Sequence, residues 1–233
     1  MINDVTRISS ILLLPLLTLL FYGCAGSAVN LEIYDSGNND TSKIERLAIM
    51  PIIVIGASKT SVSSTRTDYW LSEKGSTTAM SPAEYLPAEK VIIDTFSTLN
   101  ASIKIIKPND INKAFKKLSF ESYEQAVKEV VRQFNVDRVV SMRIRNLNLR
   151  GGGAIHGHSG KGYGHVDISI YNSDGTITWS VASQVRYQKG SQIFNMIPDP
   201  APSPSDFVGY FMGEVKPRIA PQLGDIIHEE IEE

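Results

Sequence analysis

RLAIMPIIVI, from Arg46 to Ile55, is a nearly unbroken apolar run with Glu45 in front of it and Gly56 behind. Such a run, with no polar alternation, predicts a strand buried on both faces. Pro51 cannot donate to a sheet ladder. The regular part is therefore expected from Leu47 to Met50, with Pro51 at its exit or at a bulge. This strand is expected at the centre of the sheet, as the first element of the folded domain.

Downstream the periodicity changes. Gly56 to Ser81 is a long connection rich in Ser, Thr and Lys. Ala88, Val91, Ile92, Thr95, Phe96 and Leu99 then fall on one face of a helix from about Pro87 to Leu99, with Pro87 limiting the turn started at Ser81-Pro82. Ile103 to Ile106 reads as a short strand. Asp110 is placed to cap a second helix, and Ser122 with Gln125 a third that ends at Phe134. From Asp137 the pattern has period two: Val140, Met142 and Ile144 point one way, and Leu147 and Leu149 continue on the opposite parity, which predicts a bulge near Arg145-Asn146. Val166, Ile168 and Ile170 alternate likewise, Asn172 to Gly175 is a hairpin turn, and Thr176 to Tyr187 returns. Ser203-Pro204 starts a last helix, which Pro217 and Pro221 break or kink.

The order strand, helix, strand predicts a right-handed parallel crossover. The expected fold is α/β with α+β character: one domain, about four helices and a mixed five-stranded sheet. In chain order the strands start near Leu47, Ile103, Val140, Gly164 and Thr176, and their expected order in the sheet is 2-1-3-4-5, with strands 3 to 5 an antiparallel meander.

Upstream of Arg46 the sequence gives an address. Ile8 to Tyr22 is apolar, about fifteen residues long, and preceded by Arg7. That is short for a membrane-spanning helix and suits the h-region of a signal peptide. It ends in Leu20-Phe21-Tyr22-Gly23-Cys24-Ala25, and Cys24 is the only cysteine in the chain. Gly23-Cys24 after an h-region resembles a bacterial lipobox. The resemblance implies cleavage before Cys24, diacylglyceryl modification of its sulfur and acylation of the new amino terminus by a palmitate-like chain. By resemblance to Gram-negative lipoproteins, Ala25 in the next position implies the outer membrane, with the domain facing the periplasm. Residues 1–23 are thus expected to be a lipoprotein signal peptide, 24–43 a flexible tether rich in Gly, Ser, Asn and Asp, and 44–233 the single mixed α/β domain.

The formal net charge is −2, from 23 basic and 25 acidic residues. No strongly basic face is available for a phosphate backbone, so no nucleic-acid partner is expected. A mature chain starting at Cys24 would have no disulfide.

Four stretches resemble a group of bacterial envelope proteins that includes the curli-secretion lipoprotein CsgG, the penicillin-binding-protein activator LpoB and the amino-terminal domain of TolB. They are Arg46 to Ile52, Val91 to Ile106, Phe134 to Met142 (FNVDRVVSM) and Asp167 to Ser180 (DISIYNSDGTITWS). The resemblance implies a non-catalytic accessory to cell-envelope assembly, such as cell-wall synthesis or secretion, working through a protein partner. Neither 56–81 nor 150–164 carries the ten-residue apolar alternation that membrane-crossing strands need.

Arg150 to His165, RGGGAIHGHSGKGYGH, is the most unusual composition, with seven glycines and three histidines. It fails as a phosphate loop, because Gly162 stands where Ser or Thr should bind Mg²⁺. His156, His158 and His165 could supply imidazoles to a metal, but no cysteine and only Asp167 stands nearby. The expectation is an exposed hairpin loop, with Ile155, His156, His158, Lys161 and Tyr163 as a partner-binding surface. Arg143, Arg145 and Arg186 are expected to share the polar face of the sheet with Asp167. No G-x-S-x-G elbow follows a strand. No enzyme activity, catalytic residue, metal or cofactor is expected. Two competing readings stay open: a small metal-binding protein or metal-dependent enzyme at the Gly/His loop, and a homo-oligomeric subunit of a membrane-associated secretion assembly.

Overall fold

The computed structural model of the protein describes residues 27–37, 44–55, 82–152, 160–188 and 200–223. The strands are β1 (Ala28–Asp35), β2 (Arg46–Ile49), β3 (Ile53–Ile55), β4 (Lys104–Ile106), β5 (Arg138–Arg150), β6 (Lys161–Asn172) and β7 (Ile177–Gln188). The helices are α1 (Pro82–Leu99), α2 (Pro108–Phe115), α3 (Tyr123–Phe134) and α4 (Pro204–Ile219), the last followed by a 3-10 turn, Ala220–Leu223.

The apolar run behaves as its composition requires, with one correction. β2 lies between β4 and β5, parallel to both, so it is interior, but it is second from the edge rather than central. Pro51 interrupts the run and β3 resumes on the same neighbour, β5. Ile49 pairs with Val140 and Ile53 with Arg143, so the run spends one residue more than β5 over this stretch. That extra residue is the bulge that Pro51 imposes. Leu47, Ile49, Ile52 and Val54 enter one core cluster, and Ala48, Met50 and Ile53 the other. The kink takes the N–H of Ile52 out of the ladder, and Glu89 Oε1 on α1 accepts it at 3.3 Å. Glu89 is consequently buried, at 3% exposure. Glu89 stands three residues before Ile92 and seven before Phe96, so helical spacing places a carboxylate on the apolar face of α1. It is inward because an unpaired buried N–H is costly.

The sheet has seven strands rather than five. The path runs β1-β7-β6-β5-β2-β4, with β3 pairing β5 off it. The unexpected edge strand is β1, inside the stretch read as tether. It pairs antiparallel with β7 from Ala28↔Arg186 to Asp35↔Trp179. Val29 and Leu31 rest against the first core cluster. Tertiary pairing along eight residues overrides a local composition that favours coil.

The bulge expected near Arg145-Asn146 is present as a register shift between Arg145 and Asn148, with Asn146 at φ 55°. Asparagine tolerates this left-handed conformation, whereas a β-branched residue does not. Asn146→Val is expected to cost about 1–2 kcal/mol and Asn146→Gly to be near neutral, both readable by urea denaturation. The hairpin turn at Asn172–Thr176 has Gly175 at φ 82°. Hydrogen bonds from Thr176 hold the Asp174 carboxyl below the usual range.

α1 and α4 cover one face of the sheet, with Ile92, Phe96, Phe207, Phe211 and Val215 fully buried between the layers and Ile33 of β1 left exposed at its edge. α2 and α3 cover the other face over β4, β2, β3 and the start of β5, reaching Tyr171 near the end of β6, through Ile111, Phe115, Tyr123 and Val127. Three boundaries differ from expectation. α1 runs unbroken through Pro87, which lies so near its start that only the carbonyl of residue 83 loses a partner. α2 begins at Pro108, with Lys107 rather than Asp110 at the N-cap. α4 passes Pro217 and ends at Ile219, so only the carbonyl of Gly213 goes without its helical bond. Ser122 caps α3 by accepting from the Gln125 N–H, and Ser203 makes a full capping box with Asp206.

Candidate functional site

Because α2 and α3 stop short, half of one sheet face has no element over it among the described residues. It spans β1, β7, β6 and the far part of β5, and strand alternation puts mostly polar positions there. The register fixes its rows. Asn30, Gln184, His165 and Arg145 lie side by side across four strands, as do Glu32, Ala182, Asp167 and Arg143, while Arg186, Tyr163 and Asn148 form the row nearer the ends of the strands. Arg143, Arg145, Arg186 and Asp167 therefore share a face, as the alternation predicts.

The middle rows form a shallow basin of about 320 Å³ lined by Asn30, Glu32, Arg145, His165, Asp167 and Gln184. Two hydrogen-bonded groups fix its floor. Arg145 Nη2 contacts both carboxylate oxygens of Asp167, at 3.0 and 2.9 Å. Gln184 Nε2 donates to the Tyr163 hydroxyl at 2.5 Å, and that hydroxyl lies 3.2 Å from His165 Nε2. Arg143 is committed elsewhere, with its guanidinium 4.4 Å above the Tyr123 ring and 3.9 Å from Glu124. The Arg145 side chain is half exposed, so its ion pair is screened by water. A double-mutant cycle on Arg145 and Asp167 is expected to give a coupling below about 1 kcal/mol in stability. The pair's value lies in holding donors and acceptors in fixed places on an exposed surface. Asn30 and Gln184 were missed from sequence, since nothing local links a residue of β1 to one of β7.

Of the residues expected to bind a partner, Ile155, His156 and His158 lie outside the described residues, as does Cys24. Lys161 opens β6, opposite Arg150 and Gln188, and is exposed. Tyr163 is half-buried and belongs to the basin network. The expectation of a wholly exposed loop from Gly151 to Gly162 is corrected at its C-terminal end. Gly162 and Gly164 are strand residues facing α4, and Gly160 is closed over by the chain before α4. A Cβ on Gly162 would come within 2.9 Å of Phe207 Cδ2, one on Gly164 within 3.1 Å of Phe207 Cζ, and one on Gly160 would collide with the Pro200 carbonyl oxygen. Gly162 and Gly164 make room for an aromatic ring and Gly160 for the chain at Pro200, which is a packing role.

No family model matches the chain, and no curated protein matches it. The chain is similar to several solved structures. The PelC dodecamer from Paraburkholderia phytofirmans aligns at 11% identity over 81% of this chain and 98% of that one, with a TM-score of 0.43. The lipoprotein GNA1162 from Neisseria meningitidis aligns at 12% identity over 76% and 99%, with a TM-score of 0.40. The LpoB C-terminal domain from Salmonella enterica aligns at 11% identity over 64% and 87%, with a TM-score of 0.36. Function at these similarities rests on the chain's own residues.

Among the described residues, no group of three His, Cys, Asp or Glu side chains is placed to hold a metal ion. His165, the one described histidine of the Gly/His stretch, is turned to Tyr163. Among the same residues, no helix is long and apolar enough to cross a membrane.

Proposed function

We propose that this chain is a lipid-anchored accessory protein of the cell envelope. It is held at the outer membrane through Cys24, faces the periplasm, and binds a protein partner without catalysing a reaction. The observation that carries this reading is the open half-face of the sheet. Four strands present a fixed, polar, weakly concave surface that the core does not need, while the opposite face of β5, β6 and β7 carries the core under α1 and α4. Such a surface suits the wet, hydrogen-bonded kind of protein contact. Tyr163 closes the Gly/His stretch in the sequence, so Ile155, His156 and His158 are assigned to the same partner surface. The Gly23-Cys24 pair after an apolar h-region supports the anchor.

The test is photo-crosslinking in cells from single positions. Gln184 and Tyr163 on the open face should give one discrete protein adduct, and exposed Lys90 on α1, on the covered side of the sheet, should give none. Equal yields from both sets, or none from the face, would contradict the reading. If the mature protein instead bound stoichiometric zinc or copper, lost on His156→Ala or His158→Ala, the metal-site reading would replace it. An adduct consisting of a second copy of the chain would favour the oligomeric-subunit reading.

A further inference from the structure

β1 leaves little slack between anchor and domain. Ser27 Oγ accepts from the Gln188 N–H at 2.9 Å and contacts the Gln188 carbonyl at 3.4 Å. The chain is therefore fixed to the sheet three residues after Cys24. Three residue steps span at most about 11 Å, against the several tens of ångströms that a tether to residue 43 would allow. If Cys24 carries the acyl chains, this end of the sheet must sit at the membrane surface.

The residues at that end suit such a place. Gln188 pairs with Lys161 and Lys161 with Arg150, which makes Gln188, Lys161 and Arg150 the terminal row of the open face, with Ser27 bonded to the Gln188 backbone beside it. Arg186 stands in the next row, beside Ala28. Arg150, Lys161 and Arg186 are all exposed. Arg150 Nε donates to Asn148 Oδ1, which leaves the rest of its guanidinium facing outward. A chain with net charge −2 thus gathers three cations at the one end that its anchor holds down.

We propose that this end of the sheet docks on a bilayer surface bearing anionic headgroups, with Arg150, Lys161 and Arg186 facing the phosphates. The acyl chains hold the protein to the membrane and the three cations set its orientation, so that the strands stand away from the bilayer. Lys161 then serves the membrane, and Tyr163, one row further out, serves the basin. The proposal rests on the reading of Cys24 as the acylated residue.

The experiment uses the mature protein in vesicles of phosphatidylcholine with or without phosphatidylglycerol, carrying headgroup spin-labelled lipid as quencher. Acylation consumes Cys24, so a single added cysteine is the only thiol to label. Gln188→Cys reports the anchored end and Ser173→Cys the hairpin at the other end of β6. In anionic vesicles the Gln188→Cys label should be quenched several-fold more than the Ser173→Cys label. Each cation near an anionic leaflet favours docking by about fivefold. The triple variant Arg150→Gln, Lys161→Gln, Arg186→Gln should therefore lower the docked-to-undocked ratio by about a hundredfold, removing the difference while the protein still floats with the vesicles. Equal quenching at both positions in an acylated protein, or a triple variant that behaves as the parent, would overturn the docking alone. A mature chain with no acyl groups would overturn both the docking and the anchor.

Discussion

Phe207→Ala is expected to lower the stability of the domain by about 3–5 kcal/mol, the upper range for a core aromatic truncation. Phe207 is fully buried in the first turn of α4. Its ring lies on Gly162 and Gly164 of β6, which have no side chains to move into the space it would leave. A cavity over bare backbone relaxes poorly, and the cost grows with the volume left open. The reverse substitution should also destabilise. Gly162→Ala places a Cβ 2.9 Å from Phe207 Cδ2 and 3.1 Å from Leu149 Cδ2, and overpacking of this kind costs about 1–3 kcal/mol. The pair Gly162→Ala with Phe207→Leu should cost less than the sum of its parts, because the smaller ring-site residue admits the new methyl group. Additive costs in urea denaturation of the mature protein in detergent would show that the two sites do not touch.

The second large effect is expected at Asp137. Its Oδ2 accepts the backbone N–H groups of both Glu45 and Arg46 at 2.9 Å, and its own N–H donates to the Arg46 carbonyl at 2.9 Å. One carboxylate thus clips the start of β2 to the start of β5 across some ninety residues of chain. Asp137→Ala leaves two donors without this partner, at a cost of about 2–4 kcal/mol, since bonds to a charged acceptor are the stronger kind. Asp137→Asn keeps an acceptor oxygen in place and should lose about half as much. If the alanine and asparagine variants unfold at the same urea concentration, the two hydrogen bonds are not what Asp137 contributes.

What the chain shows locally it shows well. RLAIMPIIVI reads as a doubly buried strand because every position after Arg46 is apolar, and both core clusters draw on it. The caps at Ser122 and Ser203 are visible because capping needs one oxygen at a fixed spacing from one N–H. The parity change after Ile144 marks the bulge because a slip of one residue exchanges the faces. Other features depend on partners distant in sequence. The alternation Val29, Asn30, Leu31, Glu32, Ile33 was there to be seen, but it is short and lies among Gly, Ser and Asn, and only β7 makes it a strand. Glycines at 160, 162 and 164 alternate with Lys161 and Tyr163, a period-two signal hidden within a composition that suggests a loop. The positions of Phe207, against Gly162 and Gly164, and of Pro200, against Gly160, explain it. Glu89 is buried because Pro51, 38 positions earlier, frees the N–H of Ile52. The basin was half legible: the alternation names Arg145 and Asp167, while Asn30 and Gln184 require the pairing of β1 with β7.

Mass spectrometry of the amino-terminal peptide of the mature protein tests the central claim most directly. The account predicts a chain that begins at Cys24, with a diacylglyceryl group on its sulfur and an acyl chain on its nitrogen. A mature protein whose Cys24 thiol is free, or whose chain still carries residues 1–23, would contradict it.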